Sequence, residues 1–118
     1  MIRYRGDGRV TVFLEGEIDR TTVPAVGAAL ATCLANRMTD IDVDLAAVAF
    51  CDASGLNVFL EVSQHLAASE GELRLHHPAP VVSRLLDLTG TGFLLAEEDS
   101  GVEQPPAETA AQPSSEVA

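Results

Sequence analysis

The apolar residues of this chain switch period repeatedly, from two to about 3.6 and back, and that alternation decides what it can fold into. In residues 9–15, Val10, Val12 and Leu14 recur at every second position with Phe13 filling the other face, which predicts a strand. Gly16-Glu17-Ile18-Asp19 then turns the chain. Thr21 and Thr22 are helix-starting residues and Pro24 suits a first turn. A helix is therefore predicted over 23–36, with Val26, Ala29, Leu30, Cys33 and Leu34 as its apolar stripe. A second strand spans 41–45, where Asp40, Asp42 and Asp44 alternate with apolar residues, and 46–50 reads as a link. Cys51-Asp52-Ala53-Ser54-Gly55 is a turn opening a second helix. On that helix Leu56, Phe59, Leu60, Ser63, Leu66 and Ala67 keep helical spacing until Glu70-Gly71. A short strand at 73–75, a connector at 76–80, a helix at 81–88 carrying Val82, Leu85 and Leu86, and a last short strand at 93–95 complete the series. Strands joined by helices of about 10 to 16 residues require right-handed crossovers and a mainly parallel sheet, so the fold class is α/β.

The chain's 118 residues suit one domain, and an apolar content of 47% suits a folded one. With four Phe, one Tyr and no Trp, its core must be aliphatic. The domain is expected over 1–100. Residues 101–118 are Pro, Ala, Ser, Glu and Gln with almost nothing to bury, and read as a disordered acidic tail. No stretch approaches the roughly 20 apolar residues of a membrane span, and Met1-Ile2-Arg3-Tyr4-Arg5 has no apolar signal core behind it, so a cytoplasmic location is expected. The net charge of −11 repels phosphate backbones and anionic lipids, so no nucleic acid and no membrane is expected as a partner. It suits a partner with a basic docking face.

All seven basic residues are Arg. The absence of Lys excludes a Walker-type phosphate loop, Schiff-base catalysis and the Ser–Lys class of serine enzymes. A Ser/His/Asp hydrolase built from Ser54, Asp52 and one of His65, His76 or His77 fails as well. A nucleophile elbow needs Gly two residues either side of the serine, and those places hold Asp52 and Leu56. His76 and His77 point to opposite faces if extended, with no Cys or acid at ligand spacing, so no metal is expected. No cofactor is expected either. Cys33 and Cys51 form no CxxC and read as reduced, buried thiols.

Two loops look least like packing. Residues 16–19 follow the first strand and 51–55 the next, which places both at the carboxyl edge of a parallel sheet, where ligands and partners meet such folds. Ser54 stands at the start of a helix. Either Asp52 or Ser54 caps that helix, or Ser54 carries a phosphate that the helix N-terminus tolerates.

The run Asp44-Leu45-Ala46-Ala47-Val48-Ala49-Phe50-Cys51-Asp52-Ala53-Ser54-Gly55-Leu56 resembles the signature of STAS-domain anti-sigma factor antagonists, D-L-x-x-V-x-F-x-D-S-S/T-G-L. Gly16-Glu17-Ile18-Asp19 is similar to that family's G-E-L/I-D. Pro80-Val81-Val82-Ser83-Arg84-Leu85-Leu86-Asp87-Leu88-Thr89-Gly90 is similar to its late helix. The resemblance implies a STAS-like single domain with a mainly parallel sheet of four to five strands and three to four helices. It implies a binding protein and no enzyme, a monomer or weak dimer. Its partner would be an anti-sigma factor that is also a serine protein kinase, and binding it frees a sigma factor. The implied docking residues are Glu17, Asp19, Asp52, Ala53, Ser54, Gly55 and Leu56.

In the family, phosphorylation of the serine directly after the motif Asp breaks the complex. Here that position is Ala53. Either Ser54, the phosphorylation candidate, accepts phosphate in its place, or the protein is not controlled that way. The alternative is a constitutive, non-phosphorylated STAS subunit of a transport or signalling assembly. Relatives also end on a helix packed on the sheet, whereas a helix from Ala96 here could have only one or two turns. A receiver domain phosphorylated on Asp52 is excluded by family resemblance, since such domains use a Lys that this chain lacks.

Overall fold

The computed structural model describes residues 1–96. Four strands form one sheet in the order β1 (Ile2–Gly6), β2 (Arg9–Ile18), β3 (Asp40–Cys51) and β4 (Glu72–His76). Helices α1 (Val23–Ala35), α2 (Ala53–Ala67) and α3 (Pro80–Thr89) follow β2, β3 and β4 in turn. β2–β3 and β3–β4 are parallel, while β1–β2 is antiparallel. The expected class, the mainly parallel sheet and the strand and helix counts are all present.

Since β2, β3 and β4 lie side by side in chain order, right-handed crossovers put α1, α2 and α3 on the same face. The core lies there. Val10, Val12, Ile41, Val43, Leu73 and Leu75 from the strands meet Val26, Leu30 and Cys33 of α1, Phe59 and Leu66 of α2, and Leu86 of α3. By alternation the intervening residues point away from the helices: Arg3, Thr11, Asp42 and Arg74 are register partners in one row across all four strands.

One strand is added and three local expectations are corrected. β1 was not anticipated, although Ile2 and Tyr4 alternate with Arg3 and Arg5. The Asp7-Gly8 pair that turns β1 into β2 has φ of 55° and 79°, the two left-handed residues that a tight hairpin needs. Residues 16–18 continue β2 instead of turning the chain, and 46–50 continue β3 instead of linking it to α2. The reason is tertiary. Register shifts between Phe13 and Glu15 and between Gly16 and Glu17 let β3 run two residues ahead, keeping the pair together as far as Ile18 and Cys51. Finally, 93–95 is no strand: Gly92–Leu94 is a 3-10 turn, and only Leu95 bridges Leu75, with the Ala96 N–H donating to the Leu75 carbonyl at 2.9 Å. The expected tail, and any helix after Ala96, lie outside the described residues.

Candidate functional site

The extended β2–β3 pairing brings the two motif loops together. The Asp52 N–H donates to the Ile18 carbonyl at 3.1 Å, so Asp19 and Asp52 leave the sheet side by side at its carboxyl edge. Asp52 is the N-cap of α2, and its Oδ1 accepts from the Ser54 N–H (2.9 Å), the Gly55 N–H (3.2 Å) and the Ser54 hydroxyl (2.5 Å). Of the two capping alternatives, Asp52 takes the role and Ser54 assists it. The Asp19 Oδ1 accepts from the Thr21 hydroxyl (2.6 Å), the Thr21 N–H (3.0 Å) and the Thr22 N–H (3.2 Å), while the Thr22 hydroxyl donates to the Glu17 carbonyl at 2.8 Å. Thr22 is the N-cap residue of α1 but makes no side-chain bond into that helix.

These bonds set the electrostatics. The Ser54 hydroxyl, followed by the Gly55 and Ser54 N–H groups, holds the Asp52 carboxyl below its ordinary value, against partial desolvation and the negative charge of Asp19. The Thr21 hydroxyl does most to hold Asp19 low. Two ionised carboxylates therefore share this edge. Burial and the neighbouring Asp52 charge push the Cys51 thiol up to about 11, so beneath the edge lies a protonated, poorly nucleophilic sulfur.

The predicted site residues fall into two groups. Glu17 and Ala53 are exposed, and Asp19, Asp52 and Ser54 are half-buried at the edge. Gly55 and Leu56 are buried and face inward. A Cβ on Gly55 would stand 2.5 Å from Ile18 Cγ2 and 2.8 Å from Cys51 Sγ, so the glycine lets α2 start close against the sheet. Phe50 was missed. It pairs with Glu17 in the β2–β3 register and is 40% exposed, a large apolar side chain at the same sheet edge as Asp52. Its place in the motif run was the available signal, but reading 46–50 as a link hid its direction.

Among the described residues no hydrogen bond joins Ser54 to a histidine. His65 lies in the last turn of α2, about 16 Å along the helix from Ser54. His76 Nε2 is 2.9 Å from Asp42 Oδ1 on the sheet face opposite α1, α2 and α3. Among the described residues no group of three His, Cys, Asp or Glu could hold a metal ion, and no helix is long and apolar enough to cross a membrane.

A family model described as "Mlab, STAS domain" matches residues 2–96, the whole of the described fold. The chain belongs to the STAS domain family. This STAS domain is 32% identical over 94 residues to the anti-sigma-B factor antagonist of Listeria monocytogenes, covering 80% of this chain and 82% of the relative. It is 28% identical over 102 residues to the protein of that name from Bacillus subtilis, covering 84% and 93%. The solved structure of the anti-sigma factor antagonist SpoIIAA in its unphosphorylated form superposes on the STAS domain with a TM-score of 0.73 at 25% identity, covering 81% and 84%. These relatives are named as regulators and not as enzymes.

Proposed function

We propose that this STAS domain is a cytoplasmic anti-sigma factor antagonist, which binds an anti-sigma factor of the serine-kinase type and thereby frees a sigma factor. The observation that carries the reading is the meeting of the two motif loops at one edge, joined by the Asp52 to Ile18 hydrogen bond. Relatives named as such antagonists, matched over most of their length, support the role. In this reading Glu17, Asp19 and Asp52 meet a basic partner face, and Phe50 supplies the apolar anchor that interfaces of this kind concentrate their energy in. Ala53 and Ser54 stand at the contact, while Gly55 and Leu56 shape it from beneath.

In this reading control by phosphate falls to Ser54, because Ala53 at the first position of α2 has no hydroxyl. A phosphate on Ser54 would add about 1.5 to 2 negative charges next to the Asp52 carboxylate that its hydroxyl now contacts, and would repel it. Ser54→Glu should therefore weaken binding while circular dichroism shows a folded domain. The same geometry favours the second reading, a constitutive subunit of a larger assembly, since Ala53 is inert and the Ser54 hydroxyl is engaged in the cap. Pull-down of the full chain, with mass spectrometry of both the partners and Ser54, separates the two.

Titration calorimetry against the recovered partner tests the edge. Phe50→Ala should cost about 2 kcal/mol or more of binding free energy, as a central anchor does. Asp19→Ala and Ser54→Glu should each weaken binding measurably. If Phe50→Ala, Asp19→Ala, Ser54→Ala and Ser54→Glu all bind like the wild type while folded, the docking site lies elsewhere.

A further inference from the structure

We propose that the face of the sheet opposite helices α1, α2 and α3 binds a small organic oxyanion, a carboxylate or phosphate carried on a flat apolar body. Arg3, Arg5 and the Thr11 hydroxyl would hold the anion, and the Phe13 ring would support the body. A concavity of about 460 Å³ lies over this face, lined by these four residues and by Asp42, Asp44, His76 and His77. Although the chain carries a net charge of −11, four of its seven arginines, Arg3, Arg5, Arg9 and Arg74, gather on this one face.

The acids beneath the concavity are already engaged. Asp42, 4% exposed, takes Arg9 at 3.2 Å, Arg74 at 3.1 Å and His76 at 2.9 Å. Asp44 Oδ1 accepts from the Ala46 N–H at 2.8 Å. Arg3 and Arg5 form no ion pair among the described residues, and the Arg3 guanidinium sits 5.6 Å from the centroid of the Phe13 ring, held at the mouth by a cation–π contact. Thr11 is 9% exposed and its Oγ1 is buried with no hydrogen-bond partner, whereas Arg74 Nη2, which also lacks a hydrogen bond, lies 3.8 Å from Asp40 Oδ1. A buried hydroxyl without a partner is uncommon in a folded protein, and a valine would fill its volume without needing one. Two guanidinium groups without a carboxylate partner among the described residues, over an unsatisfied hydroxyl and beside an aromatic ring, match an oxyanion that offers several acceptors.

Amide chemical-shift titration of the full chain with phenyl phosphate, benzoate and phenol tests this. Saturable shifts confined to residues 3–5, 11–13 and 76–77 are expected with one or both oxyanions, the two arms telling phosphate from carboxylate, and none with phenol. Thr11→Val, which keeps the shape and loses the hydroxyl, should weaken binding about fivefold, and Arg3→Gln combined with Arg5→Gln should abolish it. Absence of saturation in the wild type overturns the proposal, as does unchanged affinity in Thr11→Val or in the double Arg variant. Saturation seen only after Glu97→Gln, Glu98→Gln and Asp99→Asn also overturns it, because the face then answers to the chain's own acidic segment.

Discussion

Asp42 shows what single residues contribute here. Burial by itself would raise its pKa, but hydrogen bonds and charges from His76 and Arg74 outweigh that, so the carboxyl is held below its ordinary value of 3.8. Asp19 and Asp52 are also held low, by the Thr21 and Ser54 hydroxyls respectively. A carboxyl whose pKa is lower in the folded chain than in the unfolded one stabilises the fold above the unfolded value. That contribution is lost as the pH falls through the folded value. Urea unfolding should therefore show stability steady at neutral pH and falling as the pH drops from about 4 downward. Asp42→Asn should cost about 1 to 3 kcal/mol at neutral pH, since it leaves Arg74 without its buried carboxylate. It should also flatten the acid slope. Parallel acid profiles for the two proteins would mean that Asp42 is not held low.

The start of α2 is where an element depends on close approach. Asp52 caps it, and Gly55 lets its first turn sit against Ile18 and Cys51. At its other end, Gly71 packs against the chain entering β3: a Cβ there would stand 1.9 Å from the Thr39 carbonyl oxygen. Side chains can yield by a few tenths of an ångström, whereas a hydrogen-bonded backbone carbonyl at the entry to a strand yields less readily. The Thr39 oxygen is already bonded to the Glu72 N–H at 3.0 Å. Gly55→Ala should thus cost about 1 to 3 kcal/mol, as overpacking does. Gly71→Ala should cost more and lower the melting temperature further. A milder effect at Gly71 than at Gly55 would show that the β4 entry can move as a unit.

The whole molecule distributes its functions by face. One face of the sheet carries the helices and the aliphatic core, the other carries most of the arginines, and the carboxyl edge carries Phe50 and its neighbouring acids. Near the end of the described residues, Leu94 and Ala96 are almost fully buried, Ala96 bonded to β4. Residues 101–118 have little apolar area to add. Deleting them should change the melting temperature by less than about 5 °C, the equivalent of roughly 1 kcal/mol for a domain of this size. A larger drop in a thermal scan would assign them a place in the packed domain.

The sequence by itself determined the fold class, the three helices and the capped start of α2, because each rests on the periodicity or chemistry of neighbouring side chains. Val10, Val12 and Leu14 declare a strand locally, and Asp52 reaches the Ser54 and Gly55 N–H groups without help from elsewhere. The hairpin at Asp7-Gly8 is equally local and legible in the sequence. Only the tertiary structure decided how far β2 and β3 stay paired. Bulges between segments more than 30 residues apart carry the pairing through Phe50, a run with no alternation to betray it. That register exposes Phe50, seats Asp52 beside Ile18, and leaves Ala53 outward with the Ser54 hydroxyl turned into the cap. Which face the helices cover is equally non-local, since it follows from crossover handedness and strand order. Strand register brings Arg3, Thr11, Asp42 and Arg74 into one row on the face opposite those helices.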